Sequence, residues 1–253
     1  MEGYSNLASV YDELMDNVDY DLWSERIDQL IRTYSVPYSK DSTHILEFAC
    51  GTGNLSFPLN KRGYRITGVD RSNEMLMVAE EKRVDFGSGI SFIQHDMLSF
   101  PTNVTYDHVL CGCDGVNYLV NQKDLEGFFE KVYKLISDKG LFIFDISSRY
   151  KLEKILGNNT FGEDRDNISY LWENSLFEEE SIVEMELTIF VKSDQDTYRK
   201  MKEYHVQKAH SVSELTSLLK NAGFSWVKVY DDIHDRPPVK TSERILFLVG
   251  KSR

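Results

Sequence analysis

The sequence has no long apolar run and no leader-like first segment, and these absences exclude two classes of protein. A membrane-spanning helix needs about 18 consecutive apolar residues, and no stretch of the 253 residues approaches that length. The first residues are acidic and aromatic rather than basic and then apolar, which is not the pattern of a secretory signal. We therefore expect a cytoplasmic protein without a membrane partner.

Basic residues are scarce relative to acidic ones. The chain has 29 Lys and Arg against 41 Asp and Glu, a formal net charge of −12. Binding along a phosphate backbone releases counterions only where Lys and Arg cluster, and the most cationic stretch, residues 192–208, is only modestly basic. The charge balance therefore disfavours a nucleic-acid substrate.

Cysteine is also scarce, with three residues in the chain. Cys50, Cys111 and Cys113 fall in apolar, strand-like contexts, and no second Cys or His pair stands at metal-ligand spacing from them. We expect free buried thiols in a reducing compartment and no metal site.

A glycine-rich turn at residues 51–54 lacks the third glycine of the dinucleotide-binding pattern G-x-G-x-x-G, because Ser56 occupies that position. Gly51 and Gly53 have no Cβ, so the backbone there can take φ > 0 and approach a ligand closely. An acid, Glu47, stands just before the turn, where it is awkward beside a pyrophosphate and useful beside an ammonium group. The electrostatics favour a nucleoside cofactor with a cationic end and disfavour an NAD-dependent oxidoreductase.

Strands and helices alternate between residues 44 and 146, which predicts a parallel sheet covered by helices on both faces. With two closing strands near the C-terminus, the predicted fold class is α/β, a doubly wound, mostly parallel seven-stranded sheet. Ligands are expected at the carboxyl ends of its strands. The predicted strands are 44–48, 64–69, 90–94, 106–111, 141–146, 226–230 and 244–249.

Two segments break this alternation. Apolar residues recur at helical spacing in the first 38 residues and with a period of two in residues 167–207, which predicts an inserted antiparallel β meander. We expect the meander to form a lid over the substrate pocket. The expected division is an N-terminal helical cap over the cofactor at 1–38, a cofactor-binding α/β core at 39–148, the antiparallel lid at 149–210, and a C-terminal helix with the closing strands at 211–253.

The motifs of the core resemble those of class I S-adenosylmethionine-dependent methyltransferases. Residues 47–53, with the sequence EFACGTG, resemble motif I of that family. The resemblance continues through residues 68–76, 94–97 and 106–110, and it covers residues 45–148 strongly.

The rest of the chain adds to this resemblance. Residues 4–23 and 170–244 resemble a bacterial, small-molecule-type subgroup of unsettled substrate. One departure is Ala49, where many members have glycine, and alanine is small enough to keep the cofactor assignment. The resemblance implies a Rossmann-like methyltransferase fold, S-adenosyl-L-methionine as the cofactor and S-adenosyl-L-homocysteine as its product.

The resemblance also implies roles for single residues. Asp70, at the end of the second strand, would accept hydrogen bonds from both ribose hydroxyls, because a carboxylate has two acceptor oxygens. Asp96 would accept from the adenine amine, with Arg71 and Met97 flanking the adenine faces. The other expected cofactor contacts are Tyr11, Trp23, Glu47, Ala49, Gly51, Gly53, Met75 and Asp114. A structural role stays open for each of them, as a turn former, a helix contact or a core aromatic.

Methyl transfer from a sulfonium is an in-line displacement, which depends on alignment and on the exclusion of water. Asn117 and Tyr118 follow the fourth strand and are the expected hydrogen-bonding groups at the reaction end, and His205 of the meander is the expected base. The expected reaction is methylation of an N, O or C atom of a small-molecule substrate. Open alternatives are a protein or RNA target and a non-catalytic cofactor-binding regulatory module. The oligomeric state is open as well, with a homodimer among the options.

Overall fold

The computed structural model describes residues 7–35, 43–84, 89–194 and 197–252. The first six residues of the predicted N-terminal cap and its end at residues 36–38 lie outside these ranges. Within the described ranges, no helix combines the length and the apolar character that crossing a membrane requires.

Eleven strands and six α-helices make up the described part of the chain. The strands in chain order are β1 (His44–Phe48), β2 (Arg65–Asp70), β3 (Ile90–Gln94), β4 (Tyr106–Cys111), β5 (Ile136–Ser147), β6 (Thr160–Asp164), β7 (Ile168–Phe177), β8 (Ile182–Asp194), β9 (Thr197–Lys208), β10 (Trp226–Asp231) and β11 (Arg244–Gly250). The helices are α1 (Tyr11–Leu14), α2 (Tyr20–Tyr34), α3 (Ser56–Lys61), α4 (Asn73–Arg83), α5 (Gln122–Leu135) and α6 (Val212–Asn221). A 3₁₀-helical turn (Gly115–Tyr118) follows β4, and a π-helical segment (Lys151–Leu156) follows β5.

Seven strands form one mixed sheet in the order β10-β11-β5-β4-β1-β2-β3. Strands β1 to β5 pair in parallel, and β11 runs antiparallel to both β5 and β10. The predicted mostly parallel seven-stranded sheet is confirmed. Because β2 and β4 lie on opposite sides of β1, the strand order reverses there, and a crevice opens at the carboxyl end of β1.

Helices cover both faces of this sheet because each presents an apolar stripe to it. Helices α5 and α6 pack on one face, and α2 and α3 pack on the other. On the first face, Phe144 of β5 stacks on Phe247 of β11 with 4.6 Å between the ring centroids. The buried residues of α5 recur at helical spacing and are Leu125, Phe128, Phe129, Val132 and Leu135.

A second sheet is antiparallel and four-stranded, in the order β6-β7-β8-β9. Along β8, Val183 and Met185 are buried on one face and Glu184 is exposed on the other, which is the period of two seen in the sequence. The structure adds β6, which begins seven residues before the predicted start of the meander at residue 167. None of the β6 residues is buried, so no apolar alternation marks that strand in the sequence.

The described N-terminal segment, residues 7–18, lies between the two sheets. Leu7 shares a buried apolar cluster with Ile189 of β8, and the Leu7 amide donates to Glu203 Oε1 of β9 at 3.1 Å. Arg165 donates to the Glu13 carbonyl at 2.6 Å. These contacts bind the segment to the meander along one side.

Candidate functional site

A cavity of about 190 Å³, the first cavity, opens at the carboxyl ends of β1, β2 and β4. It lies at the point where the strand order reverses, which is where open α/β sheets bind ligands. Tyr118 lines it, and so do eight of the predicted cofactor contacts, Tyr11, Ala49, Gly51, Asp70, Arg71, Met75, Asp96 and Met97.

The backbone of the turn after β1 is left-handed at three positions. The angle φ is +53° at Ala49, +53° at Gly51 and +78° at Gly53. A Cβ on Gly51 would meet no atom within 4 Å, whereas one on Gly53 would lie 2.9 Å from the rings of Phe57 and Phe92. Gly51 therefore leaves room for a ligand, and Gly53 allows close packing behind the turn. Ala49 takes a left-handed conformation despite its Cβ, at a cost of about 1–2 kcal/mol.

Asp70 ends β2 and holds this turn in place. Its Oδ2 accepts from the Gly51 amide at 2.8 Å, and its Oδ1 accepts from the Ser72 amide at 2.9 Å. Burial raises the pKa of this carboxyl, and the two backbone hydrogen bonds oppose the rise. Each carboxylate oxygen has two lone pairs, so both oxygens keep acceptor capacity for a ligand.

The loop after β3 brings a second carboxylate to the first cavity. Asp96 Oδ1 accepts from the Leu98 amide at 2.7 Å, and the His95 amide donates to the Asp70 carbonyl at 2.9 Å. The loops that carry Asp70 and Asp96 are therefore joined. Met97 and Leu98 add apolar lining beside Asp96, which suits a planar ring that carries an amine.

Glu47 lies behind the turn, and the first cavity does not include it. The residue is 3% exposed, and its Oε2 accepts a short hydrogen bond from the Ser56 hydroxyl. Burial raises the pKa of Glu47 to about 7, although the Ser56 hydroxyl opposes the rise. This hydrogen bond joins β1 to the first turn of α3. Glu47 therefore stabilises the packing behind the turn and does not line the cavity.

Asp12 joins the N-terminal segment to the turn. Its carboxylate accepts from the Thr52 hydroxyl at 2.6 Å, from Asn54 Nδ2 at 2.8 Å and from Lys82 Nζ at 2.7 Å. Burial acts to raise the pKa of Asp12, but the bonds from Lys82 and Thr52 outweigh it and hold that pKa below its usual value. These bonds hold the neighbouring Tyr11 against the first cavity. No sequence signal singles out Asp12, because it is one acid among several in an acidic segment.

A second cavity, of about 320 Å³, lies between the core, the meander and the N-terminal segment. Tyr170 and Trp172 of β7 contribute aromatic walls. Tyr11, Cys113 and Tyr118 line both cavities. The two cavities therefore meet at these three side chains, which we call the junction.

Asp114 lines the second cavity and not the first. Its Oδ2 accepts from Gln207 Nε2 at 2.6 Å, and its Oδ1 lies 3.4 Å from Arg244 Nη1. Arg244 also pairs closely with the fully buried Asp145. Burial opposes the charge on Arg244, but the two carboxylates raise its pKa above the usual value. The sequence predicts a cofactor contact for Asp114, whereas the geometry places its carboxylate in the second cavity, on the far side of the junction.

Arg244 and Asp145 were not among the predicted site residues. Arg244 opens β11, far from every motif in the sequence, and no local pattern marks it. Asp145 did carry a signal, because it is the single acid within the apolar part of β5. An acid inside a buried strand needs a partner, and that partner is Arg244.

Tyr118 and His205 are brought together at the second cavity. The Tyr118 hydroxyl lies 3.4 Å from His205 Nδ1. Burial lowers the pKa of His205 to about 4, so its imidazole is neutral near pH 7. A neutral imidazole is able to accept a proton or a hydrogen bond.

Besides Glu47 and Gly53, two further predicted site residues line neither cavity. Asn117 is fully buried, donates to the carbonyls of Ser147 at 3.0 Å and Lys208 at 2.9 Å, and accepts from the Ser147 amide at 2.9 Å. Its amide is thus used in joining the ends of β5 and β9 rather than in facing a nucleophile. Trp23 packs against Arg244, whose guanidinium carbon lies 5.6 Å from the centroid of the Trp23 ring.

Known proteins resemble the chain over nearly its whole length. Residues 45–140 match the family model described as a methyltransferase domain. A putative methyltransferase from Geobacillus sp. (strain WCH70) is 33% identical over 248 residues, which are 98% of this chain and 99% of that protein. The putative methyltransferase YqeM of Bacillus subtilis (strain 168) is 34% identical over 251 residues, which are 99% of this chain and 98% of that protein. The crystal structure of a S-adenosylmethionine-dependent methyltransferase from Clostridium acetobutylicum ATCC 824 matches with a TM-score of 0.87 and 32% identity, over 99% of both chains.

Proposed function

The chain belongs to the class I S-adenosylmethionine-dependent methyltransferases, and we propose that it methylates a small molecule bound in the second cavity. The supporting observation is the junction, where Tyr11, Cys113 and Tyr118 line both cavities. A methyl donor in the first cavity and an acceptor in the second would face each other there. In-line displacement needs this alignment.

The residues of the first cavity fit S-adenosylmethionine. Asp70 offers two acceptor oxygens for a ribose diol, and Asp96 offers an acceptor for the adenine amine. Met97 and Leu98 supply apolar contact for the adenine ring, and Gly51 leaves space beside the backbone. When bound, S-adenosylmethionine supplies a methyl group that its sulfonium makes electrophilic. The residues named here hold and orient it.

The N-terminal segment supports the exclusion of water from the junction. The Leu7 amide donates a hydrogen bond to Glu203 of the meander, and the Asp12 carboxylate accepts one from Thr52 of the turn. The segment therefore spans from one sheet to the other, and it carries Tyr11 at the junction. Closure of this kind strengthens electrostatic interactions inside a site and keeps the sulfonium from water.

Tyr118 and His205 are the proposed hydrogen-bonding groups for the acceptor. Both line the second cavity, and they lie 3.4 Å apart. The neutral imidazole of His205 suits a group that accepts a hydrogen bond from the acceptor and orients it. Asn117 has no part in this proposal, because its amide is bonded to β5 and β9.

The shape of the second cavity supports a small-molecule acceptor. Its volume of about 320 Å³ falls in the range of small-ligand sites, about 300–1,000 Å³. Side chains from the core, the meander and the N-terminal segment all line it. The net charge of −12 argues against RNA as the acceptor.

Methyl-labelled S-adenosylmethionine tests the proposal when it is supplied with a metabolite extract, with total RNA or with a protein extract. We expect label in a small molecule of the metabolite fraction. Asp70→Ala serves as the variant impaired in cofactor binding, and it should transfer far less label to the metabolite fraction than the parent protein does. Label only in RNA or protein would contradict the proposal. Binding of S-adenosylhomocysteine without transfer in any fraction would indicate a regulatory module instead.

A further inference from the structure

We infer that the acceptor atom is the nitrogen of a small-molecule amine and that the Asp114 carboxylate holds this amine beside the junction. The inference rests on the proposed function and narrows its acceptor to one chemical class. Three observations carry it: the position of Asp114, the charge around it, and the charge that methyl transfer moves.

Asp114 is held next to the junction by its backbone and its side chain. It directly follows Cys113, and both residues have a left-handed backbone, with φ of +51° and +53°. The Asp114 amide donates to Asp145 Oδ2 at 3.0 Å, and the carboxylate accepts from Gln207 at 2.6 Å. Its side chain nevertheless stays 20% exposed and lines the second cavity. Since a carboxylate has about four acceptor sites, it keeps capacity for a ligand ammonium.

Asp114 and Asp145 share a single guanidinium, that of Arg244. Asp145 is fully buried, and burial raises its pKa although Arg244 opposes the rise. Lys151 also lines the second cavity, but within the described residues it forms no ion pair with Asp114. The shared guanidinium is therefore the one cation paired with the Asp114 carboxylate among the described residues.

Three other polar groups that line the second cavity, Tyr11, Cys113 and His205, are uncharged near pH 7. Burial raises the pKa of the Tyr11 hydroxyl well above its usual value, and it raises the pKa of the Cys113 thiol to about 12. Burial lowers the pKa of His205 to about 4. All three groups are neutral near pH 7, so none of them compensates the charge of Asp114.

Methyl transfer moves positive charge from sulfur to the acceptor atom. When a neutral amine attacks, positive charge grows on its nitrogen, and a carboxylate beside that nitrogen stabilises the change. An alkoxide, phenolate or carboxylate acceptor is an anion, which the same carboxylate repels. The charge of Asp114 therefore favours nitrogen over oxygen as the acceptor atom.

The reaction balances with the groups named. The ammonium form of the acceptor binds to Asp114 and releases one proton to water, which frees the nitrogen lone pair. That lone pair forms the N–CH₃ bond while the S–CH₃ bond breaks, and the electron pair of the broken bond stays on sulfur. The products are S-adenosylhomocysteine and the N-methylated ammonium. Tyr170 and Trp172 offer aromatic faces for a cation in the same cavity.

Three probes of similar shape test the charge preference without turnover. Benzylamine, benzyl alcohol and benzoate are cationic, neutral and anionic near pH 7, and each is titrated into the protein saturated with S-adenosylhomocysteine. Trp172 lines the cavity, so its fluorescence reports binding, and Trp172→Phe gives the blank. We expect benzylamine to bind at least about tenfold more tightly than the other two. Benzylamine that binds no better than benzyl alcohol, or fails to bind, overturns the inference.

Asp114→Asn removes the charge while keeping a residue that tolerates the left-handed backbone. We expect the preference for benzylamine to disappear and the affinity for S-adenosylhomocysteine to stay within about twofold. Asp235→Asn, in the exposed ion pair with Arg26, is the matched control and should change neither quantity. A large loss of S-adenosylhomocysteine affinity in Asp114→Asn would assign Asp114 to the cofactor and overturn the inference.

The position of the methyl group in the labelled product separates this inference from the proposed function. A metabolite methylated on nitrogen supports both. A metabolite methylated on oxygen or carbon leaves the proposed function standing and overturns the amine inference. Label in RNA or protein alone overturns the proposed function itself.

Discussion

The Asp12 carboxylate lies 2.7 Å from the Lys82 ammonium, and this ion pair joins the N-terminal segment to helix α4 of the core. The same carboxylate bonds Thr52 and Asn54 of the turn after β1. One side chain thus links the segment, the turn after β1 and α4. Tyr11 directly precedes Asp12, so the same contacts position Tyr11 between the two cavities.

Asp12→Ala should weaken cofactor binding without unfolding the protein. We expect the affinity for S-adenosylhomocysteine to fall about tenfold, because the segment is no longer held against the turn. The melting temperature should change little, since a partly exposed ion pair contributes little to stability. Calorimetry measures the affinity. Asp16→Ala, which removes an exposed partner of Arg165 in the same segment, is the control, and an equal loss in both variants would contradict the prediction.

Asp70→Ala should reduce the affinity for S-adenosylhomocysteine by about 10- to 100-fold. Part of the loss would come from the ligand hydroxyls, which lose a charged acceptor. The rest would come from the turn, since the Gly51 amide loses its 2.8 Å bond to Asp70. Isothermal titration calorimetry measures both affinity and enthalpy. Unchanged binding would remove Asp70 from the cofactor site.

Glu47→Gln should change how stability depends on pH. The pKa of Glu47 rises from 4.5 to about 7 on folding because the carboxyl is buried. An acid whose pKa is raised on folding contributes stability below the unfolded value, and this contribution is lost as pH rises through the folded value. The loss between pH 4.5 and pH 7 is on the order of 3 kcal/mol.

Urea unfolding of the ligand-free protein at pH 5 and pH 8 measures this effect. The free energy of unfolding of the parent protein should fall between the two pH values by more than that of Glu47→Gln. Glu243→Gln, at an exposed acid between the two closing strands, is the control and should follow the parent protein. Parallel pH profiles for the parent and Glu47→Gln would show that Glu47 keeps an ordinary pKa.

His205→Ala should leave the affinity for S-adenosylhomocysteine unchanged and slow methyl transfer by about tenfold, because the acceptor loses a hydrogen bond that orients it. The reason is that His205 lines the second cavity and not the first. Because its pKa is about 4, the parent rate should show no loss from His205 protonation until pH falls toward that value. Single-turnover rates from pH 5 to pH 8 check this point. A marked drop in S-adenosylhomocysteine affinity would mean that His205 contacts the cofactor.

Much of the core could be predicted from the sequence, because its signals are local. Strands β1, β3 and β4 have the predicted bounds, since each is a short apolar run between turn residues. The residues that line the first cavity follow directly after such strands, so the motifs also located them. Strand β6 could not be found in this way, because it buries none of its residues.

By itself, the sequence determined the family, the sheet and the end of the sheet where the first cavity opens, because these depend on neighbours along the chain. The surroundings of Asp114 were decided only by the tertiary structure. Its partners come from β5, β9 and β11, and Arg244 reaches Asp145 only because β11 inserts antiparallel beside β5, with Arg244 opposite Ser147. Contacts between residues about 30 to 130 positions apart leave no periodic trace in the sequence. The contacts of the Asp114 carboxylate are therefore set by strand pairing.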